Sequence, residues 1–228
     1  MTRTTNARIA GFTFLFYIAI GISSMILYGK AAGGEGTAAK LASIARHAPQ
    51  VRVTVLLNLL MSCSAIVLGV TLYGITRDED HELAMLALAC RVCEGFVGAM
   101  GLLTTVGLLW LASARGGAAG LDAATTNALG SFLLMPDAPI AAIFFALGST
   151  IFSWLLLRGR MIPVLLAWLG VAASALLTVT LPLQLAGFLA GGATSFMVMW
   201  MPMLVFEVAL AMWLLIKGAA LPATRVAI

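Results

Sequence analysis

Charge is scarce in this sequence. Of 228 residues, 13 are Lys or Arg and 9 are Asp or Glu, so 10% are charged while 62% are hydrophobic. Soluble domains carry roughly 25% charged and 45–50% apolar residues, which excludes a water-soluble enzyme. Intrinsic disorder is excluded as well, because disordered chains are poor in apolar residues and rich in charge. Cysteine is also rare: Cys63, Cys90 and Cys93 all lie in apolar stretches, leaving no exposed pair for a disulfide framework. Cys90 and Cys93 form a C-x-x-C pattern, but zinc needs two more ligands and a redox pair needs solvent, so they read as small packing residues. The two histidines, His47 and His81, fall outside the apolar runs, and no run carries the paired histidines of bis-histidine haem. Phosphate-binding glycine loops and serine-hydrolase elbows are missing. No cofactor or metal is implied. The basic residues are scattered singly, so a pI near 9.3 does not describe a nucleic-acid surface.

Long apolar runs fill the chain instead. They cover about 9–28, 53–73, 83–112, 140–157, 161–181 and 197–216; five are close to the roughly 20 residues needed to cross a bilayer and 83–112 is longer. The first continues to Lys30 without a cleavage site and reads as a retained span rather than a signal peptide. An all-α polytopic bundle of six transmembrane helices is expected, forming a single transmembrane domain over 1–228 with membrane lipids around it. With the N-terminus inside, the inner segments hold Arg3, Arg8, Arg77, Arg158, Arg160, Lys217 and Arg225. The outer loops hold Lys30, Lys40, Arg46, Arg52 and Arg115, a smaller set that places both termini on the cytoplasmic side.

Two outer loops are long enough for short interfacial helices. Thr37 can cap one through roughly Gln50, with Leu41, Ile44 and Ala48 on one face. After the glycine-rich 114–120, Asp122 can cap another that carries Leu129, Phe132 and Leu133 before Pro136 and Pro139. Both fit either plain connectors or a lid. The turn RDEDHE at 77–82 reads as a solvated loop, since one histidine beside adjacent acids lacks the spacing of a ligand set.

Three charges interrupt the apolar runs. Arg91 and Glu94 stand three residues apart in CRVCEG, where a helix sets them side by side, and Glu207 interrupts MLVFEVALAMW. An ionisable group inside a span costs at least about 2.5 kcal/mol on insertion scales, so such groups face the bundle interior and mark function. At 1.5 Å rise per residue all three lie about 12–17 Å from the same inner boundary. Tyr17, Ser62 and Ser149 fall at that depth and Asn58 about one turn further out. Phe96, Trp200 and Phe206 supply rings nearby, which serve equally as core or lipid-facing residues. One guanidinium does not neutralise two carboxylates, so one acid is expected to hold a proton or face a cation, and Glu207 is the better candidate. Gly95, Gly98 and Gly101 form a small-residue ridge, and Pro202 removes a helical donor five residues before Glu207.

The segments ARIAGFTFLFYIAIGI, ACRVCEGFVGAMGLL and MPMLVFEVALAMWLLIKG resemble the bacterial integral membrane family grouped as domain of unknown function 4386, over about residues 8–218. The resemblance matches Arg91, Glu94 and Glu207 to the family's charged positions. Where the family often carries a histidine in the fourth span, this chain has Gly148 or Ser149. It implies a bacterial cytoplasmic-membrane protein and brings no activity.

From the residues, the first expectation is an intramembrane site for a lipophilic small molecule. Glu207 or Glu94 would act as proton donor and Arg91 as electrostatic partner, with isomerisation or cyclisation of an isoprenoid-like substrate as the reaction. A proton-coupled transporter is the alternative, supported by a faint likeness of VCEGFVGAM to VFEVALAM. A non-catalytic accessory subunit is the third.

Overall fold

The computed structural model describes residues 2–114, 122–134, 139–189 and 192–222. Among them the chain is helical throughout: α1 (Arg3–Ala31), α2 (Gly36–Arg46), α3 (Ala48–Thr76), α4 (His81–Met100), α5 (Leu102–Ala114), α6 (Ala123–Leu133), α7 (Ile140–Arg158), α8 (Val164–Leu185) and α9 (Ala193–Ile216). Six helical segments are long and apolar enough to cross a membrane: Arg3–Ala31, Ala48–Thr76, His81–Ser113, Ile140–Arg158, Val164–Leu185 and Ser195–Ile216. This is the all-α architecture of a multi-pass membrane protein. Arg115 and the rest of the glycine-rich run after Ala114, Pro136 and Arg225 lie outside the described residues.

Proline and glycine mark the ends of these helices. Pro163 occupies the N-cap position of α8 and Pro139 that of α7, so the fifth span starts at Val164, three residues later than its apolar run. There the ring's fixed φ suits a helix start and its missing N–H goes unused. α8 ends on Gly187 at φ 82°, where the N–H of Gly187 donates to Gln184 and that of Phe188 to Leu183. That paired closure needs a left-handed residue, which glycine supplies without strain. Gly101 separates α4 from α5 inside the third span.

The short helices differ in how well the sequence anticipated them. Asp122 caps α6 as expected, its carboxylate accepting from the Thr125 N–H at 2.6 Å. That donated hydrogen bond holds the carboxyl below its usual range. For α2 the structure corrects the expected cap and length. Glu35, not Thr37, stands at its N-cap, and the helix stops at Arg46, with Ala48 and Gln50 belonging to α3. Pro49 explains the stop, since a helix continuing through it would lose the bond to the Ala45 carbonyl and meet the ring. The Thr37 hydroxyl instead pairs with Ser131 of α6 at 3.0 Å.

The chain divides into two compact units. The first comprises 1–17, 63–96 and 138–228. Its apolar core includes Phe14, Leu68, Leu72, Phe145, Phe152, Leu177, Phe206 and Leu214. Close helix approaches run through glycine: a Cβ on Gly11 would lie 2.7 Å from the Ala211 carbonyl, and one on Gly170 would enter the Phe206 ring. The second unit comprises 18–62 and 97–137. Its core joins Ala31, Leu41, Ile44, Val51, Leu108 and Leu111. Leu41 and Ile44 are buried as the sequence predicts, whereas Leu129 and Phe132 of α6 are exposed and Thr126 and Gly130 form its buried side. Gly130 admits Leu41 and Thr37, to which a Cβ would come within 2.7 and 2.8 Å.

The candidate intramembrane charge site

The site lies in the first unit, and α4 starts it. Helical rise places Arg91 and Glu94 on one face, and the pair closes at 2.8 Å between Nη1 and Oε2. Both are buried, Arg91 at 1% exposure and Glu94 at 5%. A buried pair is sustained only if its remaining hydrogen-bonding groups are also met. The Tyr17 hydroxyl of α1 donates to Glu94 Oε1 at 2.9 Å, and Arg91 Nη2 donates to Ser149 Oγ of α7 at 3.1 Å. The Phe145 ring, also on α7, covers the guanidinium with 4.7 Å between its centroid and Cζ, a cation–π arrangement.

Glycine makes room for this arginine. A Cβ on Gly69 of α3 would lie 2.8 Å from Arg91 Cβ, and one on Gly148 of α7 would lie 3.2 Å from the Ala87 carbonyl and from Cys90 Cβ. Gly69 did not stand out in the sequence, and Gly148 did so only through the family resemblance, because the packing reason for each is a neighbour on another helix. Phe145 was missed for the same reason. The spacing of α7 alone gives no sign that its ring meets a cation on α4.

Glu207 of α9 is buried at 6% exposure and lies within electrostatic reach of Arg91 and Glu94. Its Oε1 and Arg91 Nε have no hydrogen-bond partner among the described residues. Beside Arg91 is a cavity of about 10 Å³, lined among others by Phe14, Ser149, Ser153, Met203 and Phe206. That is room for about one water molecule, against roughly 300–1,000 Å³ for a small-molecule pocket.

The structure thus brings together Arg91, Glu94, Tyr17 and Ser149, with Glu207 in the same electrostatic environment. Phe206 lines the water-sized cavity, and Trp200 stacks on Phe145 at 5.9 Å. Phe96 is 68% exposed. Asn58 and Ser62 belong to the second unit, where Asn58 Oδ1 accepts from Ser24 at 2.7 Å and Ser62 Oγ lies 3.2 Å from a Cβ built on Gly98. Helix α9 continues through Pro202.

The acidic turn at 77–80 is more ordered than a solvated loop. Arg158 at the end of α7 pairs with Glu79 at 2.9 Å and Asp80 at 3.3 Å, while Arg3 approaches Asp78 at 3.7 Å and donates to the Ile75 carbonyl. His81 pairs with the Tyr73 hydroxyl at 3.1 Å. Among the described residues no group of three or more His, Cys, Asp or Glu is placed to hold a metal ion.

Comparison with known proteins gives a family and no function. A model of the family described as Domain of unknown function (DUF4386) matches residues 9–218. No curated protein and no solved structure matches.

Proposed function

The chain belongs to the DUF4386 family, and from its buried site we propose that it is a proton-coupled carrier of a small molecule, with Glu207 as the group that takes up and releases the proton. The observation that carries this reading is the unequal partnering of the two acids. Arg91 is committed to Glu94, which Tyr17 also serves, whereas Glu207 keeps a buried oxygen with no partner among the described residues. A second carboxylate beside a neutralised pair is electrically balanced by a proton, and the proton's free energy there depends on the side to which the site is open. The water-sized cavity supports carriage over chemistry in a standing chamber, because a carrier's cavity opens as its helices rearrange. We place the protein in the bacterial cytoplasmic membrane with both termini on the cytoplasmic side, on the Lys and Arg distribution.

A second reading keeps the same acid and is favoured by the buried Phe206 ring, which lines the cavity. Glu207 would then protonate a lipophilic, isoprenoid-like molecule, and that ring would face the developing cation.

The test uses full-length protein in proteoliposomes holding a pH-sensitive dye, challenged in turn with a panel of small organic acids, amines, sugars and isoprenoid alcohols. Carriage predicts lumenal pH changes with particular compounds that disappear in Glu207→Gln while the unfolding midpoint is kept. Undiminished coupling in Glu207→Gln would sink the proton role. Product formation without proton flux selects the acid-catalysed reading, and a loss of stability alone selects an accessory role.

A further inference from the structure

The second unit contains a larger opening than the charge site, and nothing in the proposed proton chemistry uses it. A groove of about 490 Å³ runs between α3 and α5, lined by Arg52, Leu56, Val106, Leu109 and Trp110 among others. Its volume falls within the range of small-molecule pockets. Along α5 it extends from Val106 to Ser113, about 10 Å at the helical rise. The walls are apolar, and the polar groups are gathered near the helix ends. Arg52 is in the first turns of α3, and Trp110 and Ser113 are in the last two turns of α5.

An occupant of this groove must therefore be apolar for most of its length and anionic at one end. Arg52 is exposed and has no acidic partner among the described residues. Among the described residues no carboxylate lines the groove. The surrounding unit carries Lys30, Lys40, Arg46, Arg52 and Arg115 in its sequence against Glu35, Asp122 and Asp137, so its own charge also favours an anion. Guanidinium suits phosphate, which it meets with two parallel N–H donors. Trp at the end of a span suits the headgroup level of a bilayer.

We propose that this groove is a binding site for an anionic phospholipid of the surrounding bilayer, with the lipid phosphate on Arg52 and one acyl chain along Leu56, Leu109 and Val106. The site recognises charge at one end and hydrocarbon along the rest. It differs in this from the general lipid contact that every span makes.

Native mass spectrometry of the full chain in detergent tests this, with dioleoyl phosphatidylglycerol and dioleoyl phosphatidylcholine titrated at matched concentrations. Phosphatidylglycerol should bind about fivefold more tightly, the effect of one cation near an anionic headgroup. Arg52→Gln should remove that preference by weakening phosphatidylglycerol more than phosphatidylcholine, whose phosphate the guanidinium also meets but whose choline offsets the charge, and Arg52→Lys should keep part of the preference. Val106→Phe, which narrows the groove without touching the charge, should weaken both lipids. Equal binding of the two lipids to the parent protein overturns the proposal, as does an intact preference in Arg52→Gln. Displacement of phosphatidylglycerol by inorganic phosphate also overturns it, because the anion alone would then suffice.

Discussion

The two compact units handle polar groups in opposite ways. The first buries a guanidinium and two carboxylates in an apolar interior and surrounds the cation with Glu94, Ser149 and the face of Phe145. The second buries no charged side chain among its described residues and leaves an apolar groove open, with Arg52 at its end. The Arg91–Glu94 pair is tolerated because α1 and α7 contribute partners at once. Removing one partner there exposes the full desolvation cost of what remains. In the second unit the charges keep their water, and single changes should act locally.

The largest effect that would break this contrast is at Arg91. Arg91→Ala leaves Glu94 buried without its cation, and a loss of about 3–5 kcal/mol is expected on removing one member of a buried pair. Chemical unfolding in detergent measures it, and Arg91→Ala combined with Glu94→Ala should recover part of the loss. A double variant no more stable than Arg91→Ala would show the pair to be uncoupled. Arg52→Ala in the second unit should shift stability by less than about 0.5 kcal/mol in the same assay, as surface substitutions do.

Overpacking comes next. Gly170→Ala drives a methyl group into the Phe206 ring and to 2.8 Å from Ser153 Oγ, so a loss of about 1–3 kcal/mol is expected from strain in a filled core. Gly69→Ala presses on Arg91 Cβ at 2.8 Å and should cost a similar amount. Gly192→Ala, where a Cβ would have nothing within 4 Å among the described residues, is the control. Equal unfolding midpoints for all three would show that the glycines do not set the helix approach.

Glu207→Gln sharpens the contrast in function rather than stability. Its shape is kept and its unpartnered oxygen becomes part of a neutral amide, so stability should stay within about 1 kcal/mol of the parent while proton coupling is lost. The smallest effect belongs to Asp122. Asp122→Ala should speed amide exchange in α6 and leave the first unit unchanged, and Asp122→Asn should behave like the parent because it keeps the acceptor. Since the Thr125 N–H lowers the folded carboxyl's pKa, the cap's contribution is present above the usual carboxylate range and is lost as pH falls through the folded value. Hydrogen exchange across that range should show α6 opening first at the acidic end.

Particular residues show where the sequence was legible. The six spans could be read because a bilayer demands about 20 apolar residues in a row, a condition met along the chain itself. Arg91, Glu94 and Glu207 stood out because charge in such a run is costly wherever the helix packs. The meeting of Arg91 with Ser149 and of Glu94 with Tyr17 follows the shared depth, since helical rise converts residue count into height, whereas Ser62, at the same depth, belongs to the second unit. Depth does not give rotation about the helix axis. Phe96 shares the height of the charge layer and faces outward at 68% exposure. Thr37 looked like a cap from its residue type, yet its hydroxyl found Ser131 on another helix. The turn at 77–80 looked solvated until Arg158, nearly 80 residues away in sequence, was placed against Glu79 and Asp80.

By itself the sequence determined which segments are helices, that the chain has six spans, and which three charges enter the apolar interior. Those properties depend on composition and on a helical repeat of a few residues. Tertiary structure alone decided that Ser149 and Phe145 join Arg91 in its pair with Glu94 while a Glu207 oxygen has no partner among the described residues, and that the charge cavity holds little more than a water molecule. The reason is steric. Gly69 and Gly148 let neighbouring helices close on Arg91, and which atoms then meet depends on helix rotation and separation, quantities that no local pattern encodes.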